Sequence, residues 1–328
     1  MQPTVIEICA GGGGQSLGLD LAGFQMTAAV EIDRQCCDTL LLNRPHWNVI
    51  CTDVKEFSGY SYEGIDLLAG GVPCPPFSIA GKQLGKEDER NMFPDALRLT
   101  KEIRPKAIML ENVAGFASEK FSNYRESLFR QFRNLGYKLQ WKVLNACNFG
   151  VPQLRPRFIL VGLKEEYSSN FEWPQEQLPK TTVGECLFDL MSVHGWKGAS
   201  RWSKIANGIA PTLVGGSKKH GGPDLGPTRA RKQWTLLGVD GLGIANEAPS
   251  KDAPVSHMPR LTVRMAARIQ GFPDSWQFSG KKTAACRQVG NAFPPPVACA
   301  VSCSILEAIS VEPMSCPPKD ARIPALAA

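Results

Sequence analysis

The sequence predicts a doubly wound α/β protein, a mostly parallel sheet with helices on both faces, joined to a smaller irregular module. Residues 4–9, 27–30, 65–69, 107–110 and 157–161 form short, largely apolar runs without polar alternation, as strands buried on both faces do. Between them, residues 17–22, 36–43, 92–103 and 124–135 carry apolar side chains at helical spacing. Four consecutive glycines, Gly11, Gly12, Gly13 and Gly14, fall where the first strand gives way to the first helix.

The first strand ends at those glycines, which let the backbone approach a ligand closely and leave the amides of the following helix free. The second strand ends at Glu31, 20 residues after Gly11. The third leads into Gly70-Gly71-Val72-Pro73-Cys74-Pro75-Pro76-Phe77-Ser78, and the fourth into Glu111-Asn112-Val113. The helix at 124–135 meets Gly136, a residue suited to the left-handed turn that stops helices. From 164 to 257 the pattern dissolves into Gly, Pro, Trp and basic residues with no long periodic segment. A helix-like stretch at 261–270 is followed by a loop, then by a helix of small and apolar residues at 297–309 that matches the first module better than the second. The expected organisation is a catalytic and cofactor-binding domain at 1–163 plus 260–311, a second module at 164–259, and a poorly ordered, proline-containing tail at 312–328.

With 328 residues, 43% hydrophobic and 21% charged, the chain is long enough for a sizeable core and unlike a disordered or fibrous one. No apolar run reaches the roughly 18 residues needed to span a bilayer, and no secretory leader is visible, so a cytoplasmic location without a membrane partner is expected. Eleven cysteines without a C-x-x-C pair read as reduced thiols, and four dispersed histidines give a zinc site little to be built from; no metal is expected. The formal charge is +6, and between His194 and Thr235 eight Lys/Arg stand against the single acid Asp224. That concentration suits a polyanionic partner.

The glycine loop and Glu31, a carboxylate placed to bind two ribose hydroxyls, indicate an adenosine-containing cofactor, with NAD and S-adenosylmethionine both open. Cys74 lies past the carboxyl end of a strand, where open α/β sheets place their ligand crevice, and the prolines on either side hold it in one backbone geometry. A cysteine so displayed is a candidate nucleophile. The other ten cysteines read as small buried hydrophobes.

Residues 7–24, 71–78, Glu111-Asn112-Val113, Gln153-Leu154-Arg155-Pro156-Arg157, 261–274 and Gln288-Val289-Gly290-Asn291 resemble, in order and spacing, the motifs of the DNA (cytosine-5)-methyltransferases. The likeness covers nearly all of 4–163 and 260–300 and implies a Rossmann-like, S-adenosylmethionine-dependent methyltransferase fold. By that resemblance the Cys74 thiolate adds to C6 of cytosine, and Glu111 holds a proton at N3, which asks for a protonated carboxyl in a dry pocket. Arg157 binds the cytosine carbonyl oxygen, with Arg155 as close support. Cys9, Gly11, Gly13, Glu31, Ile32, Asp53, Pro73 and Asn291 are implied to surround S-adenosylmethionine. The chain departs from the family's pattern at Cys9, usually Phe, and at Glu7, usually Asp.

The target base must rotate out of the duplex to reach such a site. Choice of the cytosine then falls to the module at 164–259, in which Ala210-Pro211-Thr212-Leu213 resembles the Thr-Leu element of the family's target-recognition regions. Arg201, Lys218, Lys219, Arg229, Arg231 and Lys232 are candidate DNA contacts, mostly to phosphates, with one or more arginines free to read guanine. The partners implied are double-stranded DNA and a cognate restriction endonuclease acting on the same site without forming a stable complex; a monomer is expected. A tRNA-modifying relative and a non-catalytic DNA-binding relative are the alternatives. A dehydrogenase shares only the glycine loop.

Overall fold

A computed structural model describes residues 2–73, 91–176, 180–215 and 224–310. In chain order the strands are β1 (Thr4–Ile8), β2 (Gln25–Glu31), β3 (Val49–Cys51), β4 (Leu67–Gly71), β5 (Ala107–Val113), β6 (Tyr137–Asn145), β7 (Gln153–Leu154), β8 (Pro156–Lys164) and β9 (Ala210–Pro211). The helices are α1 (Gly14–Ala22), α2 (Arg34–Asn43), α3 (Phe93–Ile103), α4 (Ser122–Asn134), α5 (Glu165–Ser168), α6 (Val183–Ser192), α7 (Ala199–Ile205), α8 (Thr228–Leu236), α9 (Val263–Ile269), α10 (Lys282–Asn291) and α11 (Pro295–Ile309). The described residues divide into two compact units, one within 1–144, 156–175 and 297–310, the other within 145–155 and 176–296; the tail expected at 312–328 lies outside the described residues.

The first unit is the expected doubly wound sheet, in the order β3-β2-β1-β4-β5-β8-β6. β1 pairs parallel with β2 and β4, and β4 with β5, while β8 runs antiparallel to β5. Val5, Ile6, Leu67, Leu68, Ile108, Met109 and Leu160 are fully or almost fully buried. That explains their unbroken apolar runs. β6 was not legible as a strand because it lies at the end of the sheet order and mixes exposed with buried positions over Tyr-Lys-Leu-Gln-Trp-Lys-Val. α4 ends where expected, with Gly136 left-handed at φ 89° and its N–H on the Arg133 carbonyl. The apolar helix α11 is buried, and Leu306 packs beneath Gly23.

Within 164–257, where no long periodic segment was expected, the second unit carries three short helices, α6, α7 and α8. α6 starts with a reciprocal Thr182–Glu185 capping box and buries Val183, Cys186, Leu187 and Met191. α10 occupies the segment expected as a loop. Its buried positions are small or polar, Ala284, Ala285, Gln288 and Val289, so the apolar periodicity that marks a helix is weak there. The division by contacts also differs from the sequence-based one: residues 260–296, including α9 and α10, group with the second unit, and only 297 onward returns to the sheet. Arg268, buried in α9, explains part of this by pairing with Asp189 on α6 and with Asp274.

Candidate active site

In the first unit the carboxyl ends of β1, β2, β4 and β5 carry the predicted residues. After β1 the chain makes a tight turn in which Cys9 (φ 54°), Gly11 (φ 56°) and Gly13 (φ 87°) are left-handed. Glycine adopts that conformation without steric penalty, whereas Cys9 must be held in it. Gly11 N–H donates to Glu31 Oε2 at 2.7 Å and Asp33 N–H to Oε1 at 2.8 Å. Burial raises the Glu31 pKa, and those two donors oppose the rise. Ile32, next to it, is 66% exposed and offers a flat apolar surface. Asp53, half-buried, caps its own turn by accepting from Lys55 N–H at 3.0 Å.

Glu111, the fifth residue of β5, is buried and lies 2.8 Å from Arg157 Nε on the antiparallel neighbour β8. The β5–β8 register sets Val113 opposite Arg157, which brings the two charged groups together. Asn112 donates to the Val72 carbonyl at 3.3 Å. The Glu-Asn-Val motif therefore also ties the segment immediately before Pro73, a role its sequence did not reveal. Pro73 is half-buried, and Cys74 lies outside the described residues.

Two buried polar groups lie beside the glycine loop, Gln15, not singled out from sequence, and Glu7, noted there only as a departure from the usual Asp. Glu7 in β1 accepts a hydrogen bond from Ser16, and burial pushes its carboxyl up to about 8. Gln15, in the first turn of α1, is 3% exposed, and neither atom of its amide group has a hydrogen-bond partner among the described residues. Such groups are uncommon in native interiors and point to a missing bound molecule. Glycines that bring α1's free amides close, Glu31 at ribose distance in sequence, and an orphaned buried amide fit a bound adenosine-containing cofactor.

In the second unit Gln153, fully buried, accepts from Leu213 N–H at 2.8 Å, and β7 pairs in parallel with β9. Thr212 Oγ1 donates to the Leu154 carbonyl at 2.6 Å. Arg155, 1% exposed, donates to the carbonyls of Leu213 (2.7 Å), Gly290 (2.8 Å) and Ala292 (2.9 Å). It thus fixes the Thr-Leu element and both sides of Asn291, whose own side chain packs on Gly215. Of the basic candidates, Arg229 and Lys232 are exposed on α8 and Arg231 is half-buried against Gly241. Arg201 lines a cavity of about 70 Å³ with Trp202, Ile205, Val255 and His257. Lys218 and Lys219 lie outside the described residues.

A profile of the C-5 cytosine-specific DNA methylases matches residues 3–307. The type II methyltransferase M.NgoMIV of Neisseria gonorrhoeae is 56% identical over 317 residues, covering 95% of this chain and 100% of that protein. M.NaeI, a type II methyltransferase of Lentzea aerocolonigenes, is 50% identical over 312 residues, covering 94% of this chain and 76% of its own. Among solved structures, the Entamoeba histolytica methyltransferase EhMeth superposes with a TM-score of 0.67 at 15% identity, over 94% of this chain and 99% of that one. The S. pombe Dnmt2 methyltransferase gives 0.63 at 18% identity, over 93% and 99%. These last two are alike in fold.

Proposed function

The chain belongs to the C-5 cytosine-specific DNA methylases, and from that premise we propose a sequence-specific enzyme that methylates C5 of a cytosine rotated out of duplex DNA. The observation that carries the reading is the buried Glu111–Arg157 pair beside the carboxyl end of β4, with Asn112 gripping the backbone before Pro73. Cys74 adds as a thiolate to C6, Glu111 holds a proton at N3 as charge builds in the ring, and Arg157 binds the carbonyl oxygen. S-adenosylmethionine, when bound, supplies an electrophilic methyl group for C5. Gly11, Gly13, Glu31, Ile32, Asp53 and Pro73 would hold it. Loss of the C5 proton and of the Cys74 sulfur then restores the aromatic base.

Residues 164–259 act as the reader of the target sequence. Arg229 and Lys232, exposed on α8, together with Lys218 and Lys219, supply phosphate contacts, while Thr212 and Leu213 shape the approach to the flipped base. The names of the two bacterial relatives support a modification enzyme that protects DNA against a cognate endonuclease. The enzyme works as a cytoplasmic monomer. Bisulfite sequencing of plasmid DNA from cells expressing the chain tests the whole reading: one short sequence context should become protected at every occurrence. Protection at no cytosine, or methylation confined to tRNA, would overturn it.

A further inference from the structure

Gly70 and Gly71 stand side by side in β4, and the fold needs only the first of them. A Cβ on Gly70 would meet Ile8 Cγ1 at 2.6 Å and the Ile8 carbonyl at 3.1 Å, so close strand packing excludes any side chain there. Among the described residues, a Cβ on Gly71 would meet nothing nearer than 3.6 Å. Three oxygens converge on that empty position: Glu111 Oε2 at 3.6 Å, Gln15 Oε1 at 3.7 Å and the Cys9 carbonyl at 3.8 Å. They come from β5, from the first turn of α1 and from the glycine loop.

A hollow walled by oxygens disfavours anions and suits a cation or a strongly positive hydrogen-bond donor. The wider field agrees, because Glu31, Asp53 and Asp95 all act on the Cys9 thiol with the same negative sign. Gln15 is the member of the trio with no other task. Its amide is buried without a partner among the described residues, so the fold keeps a polar group there for something that binds.

We infer that Gln15 Oε1, with the Cys9 carbonyl and Glu111, forms an oxygen cradle over Gly71 that receives the sulfonium end of the methyl donor and tells the charged donor from its neutral demethylated product. This rests on the donor reading given above. A donor is a cation before transfer and a neutral thioether after it, so a cradle that reads charge binds substrate and releases product. The cytosine amino edge is the other positive group at hand. Two of the three oxygens belong to the glycine loop and α1, on the side that holds the cofactor, which favours the sulfonium.

The test is calorimetric titration of the full chain and of Gln15→Leu and Gly71→Ala with S-adenosylmethionine, with sinefungin, which carries an ammonium where the donor has its methylated sulfur, and with S-adenosylhomocysteine. Gln15→Leu should weaken both cations roughly tenfold, the effect of one lost bond to a charged group, and the neutral product by less than threefold. Its melting temperature should hold or rise, since the amide makes no bond to lose. Gly71→Ala fits the folded strand and should exclude the cations while leaving stability unchanged. Equal weakening of all three ligands, unchanged binding of all three, or a Gln15→Leu defect seen only in capture of fluorocytosine DNA would overturn the inference. A wild-type chain that binds none of the three would overturn the donor reading itself, and the cradle with it.

Discussion

Replacing Glu7 by Gln should stabilise the protein at mildly alkaline pH and erase a pH dependence that the wild type shows. Glu7 is 1% exposed, its Oε1 has no hydrogen-bond partner among the described residues, and burial pushes its pKa from 4.5 to about 8. The folded chain therefore keeps the Glu7 proton while the unfolded chain releases it near the ordinary value. Between those two pH values the unfolded state binds fewer protons, so stability falls as pH rises and levels off above about 8. At roughly 1.4 kcal/mol per tenfold difference in proton affinity, the interval from 4.5 to about 8 corresponds to a loss on the order of 5 kcal/mol at most. Glu7→Gln puts a neutral isostere in the same place and keeps a partner for Ser16. Urea unfolding of both chains at about pH 5 and pH 8 reads the effect, and comparing the two cancels every other titration. The variant should match the wild type near pH 5 and exceed it by several kcal/mol near pH 8. A variant whose stability falls with pH as steeply as the wild type's would refute the reasoning, because Glu7 would then not be the group that titrates.

Arg155→Lys should destabilise the protein by about 3 kcal/mol or more, since one ammonium cannot serve three buried carbonyls and each orphaned acceptor costs about 1–3 kcal/mol; a loss below about 1 kcal/mol in chemical denaturation would argue against the clamp. Glu111→Gln should lower turnover by about 10²–10⁴-fold, typical of lost acid–base help, with S-adenosylhomocysteine affinity nearly unchanged, whereas Glu31→Ala should chiefly weaken that affinity. Calorimetry showing the reverse pattern would exchange the two roles. Arg229→Ala and Lys232→Ala should each flatten the dependence of log affinity on log salt by about 0.9, and unchanged slopes for both would remove α8 from the DNA-facing surface.

What could be read in advance was set by burial. The central strands were visible because both their faces are covered, and the helices α2 to α4 because each pairs an apolar face with a polar one. β6 was hidden by its mixed exposure, and α10 by a buried face made of Ala284, Ala285, Gln288 and Val289. In the site, Glu111 and Arg157 were legible as types in a motif, yet their 2.8 Å pairing depends on β8 running antiparallel to β5, which no local pattern encodes. Arg155 sits two residues from Arg157 but precedes β8 rather than lying in it, and its guanidinium serves the backbone around Leu213 and Asn291 instead of a partner across the sheet. Gln15 escaped notice, and Glu7 drew it only as a departure from the usual Asp, because their importance lies in burial. A glutamine after four glycines looks solvated until the fold closes over it.

The central claim, that Cys74 attacks the cytosine ring, is tested most directly with duplex DNA carrying 5-fluorocytosine at the methylated position. Fluorine replaces the proton whose loss frees the enzyme, so in the presence of S-adenosylmethionine the wild-type chain should form a covalent complex that survives denaturing electrophoresis, with mass spectrometry locating the link on Cys74. Cys74→Ala should form none and should not methylate ordinary DNA. A Cys74→Ala chain that still methylates its site, or an adduct mapped to another residue, would contradict the account.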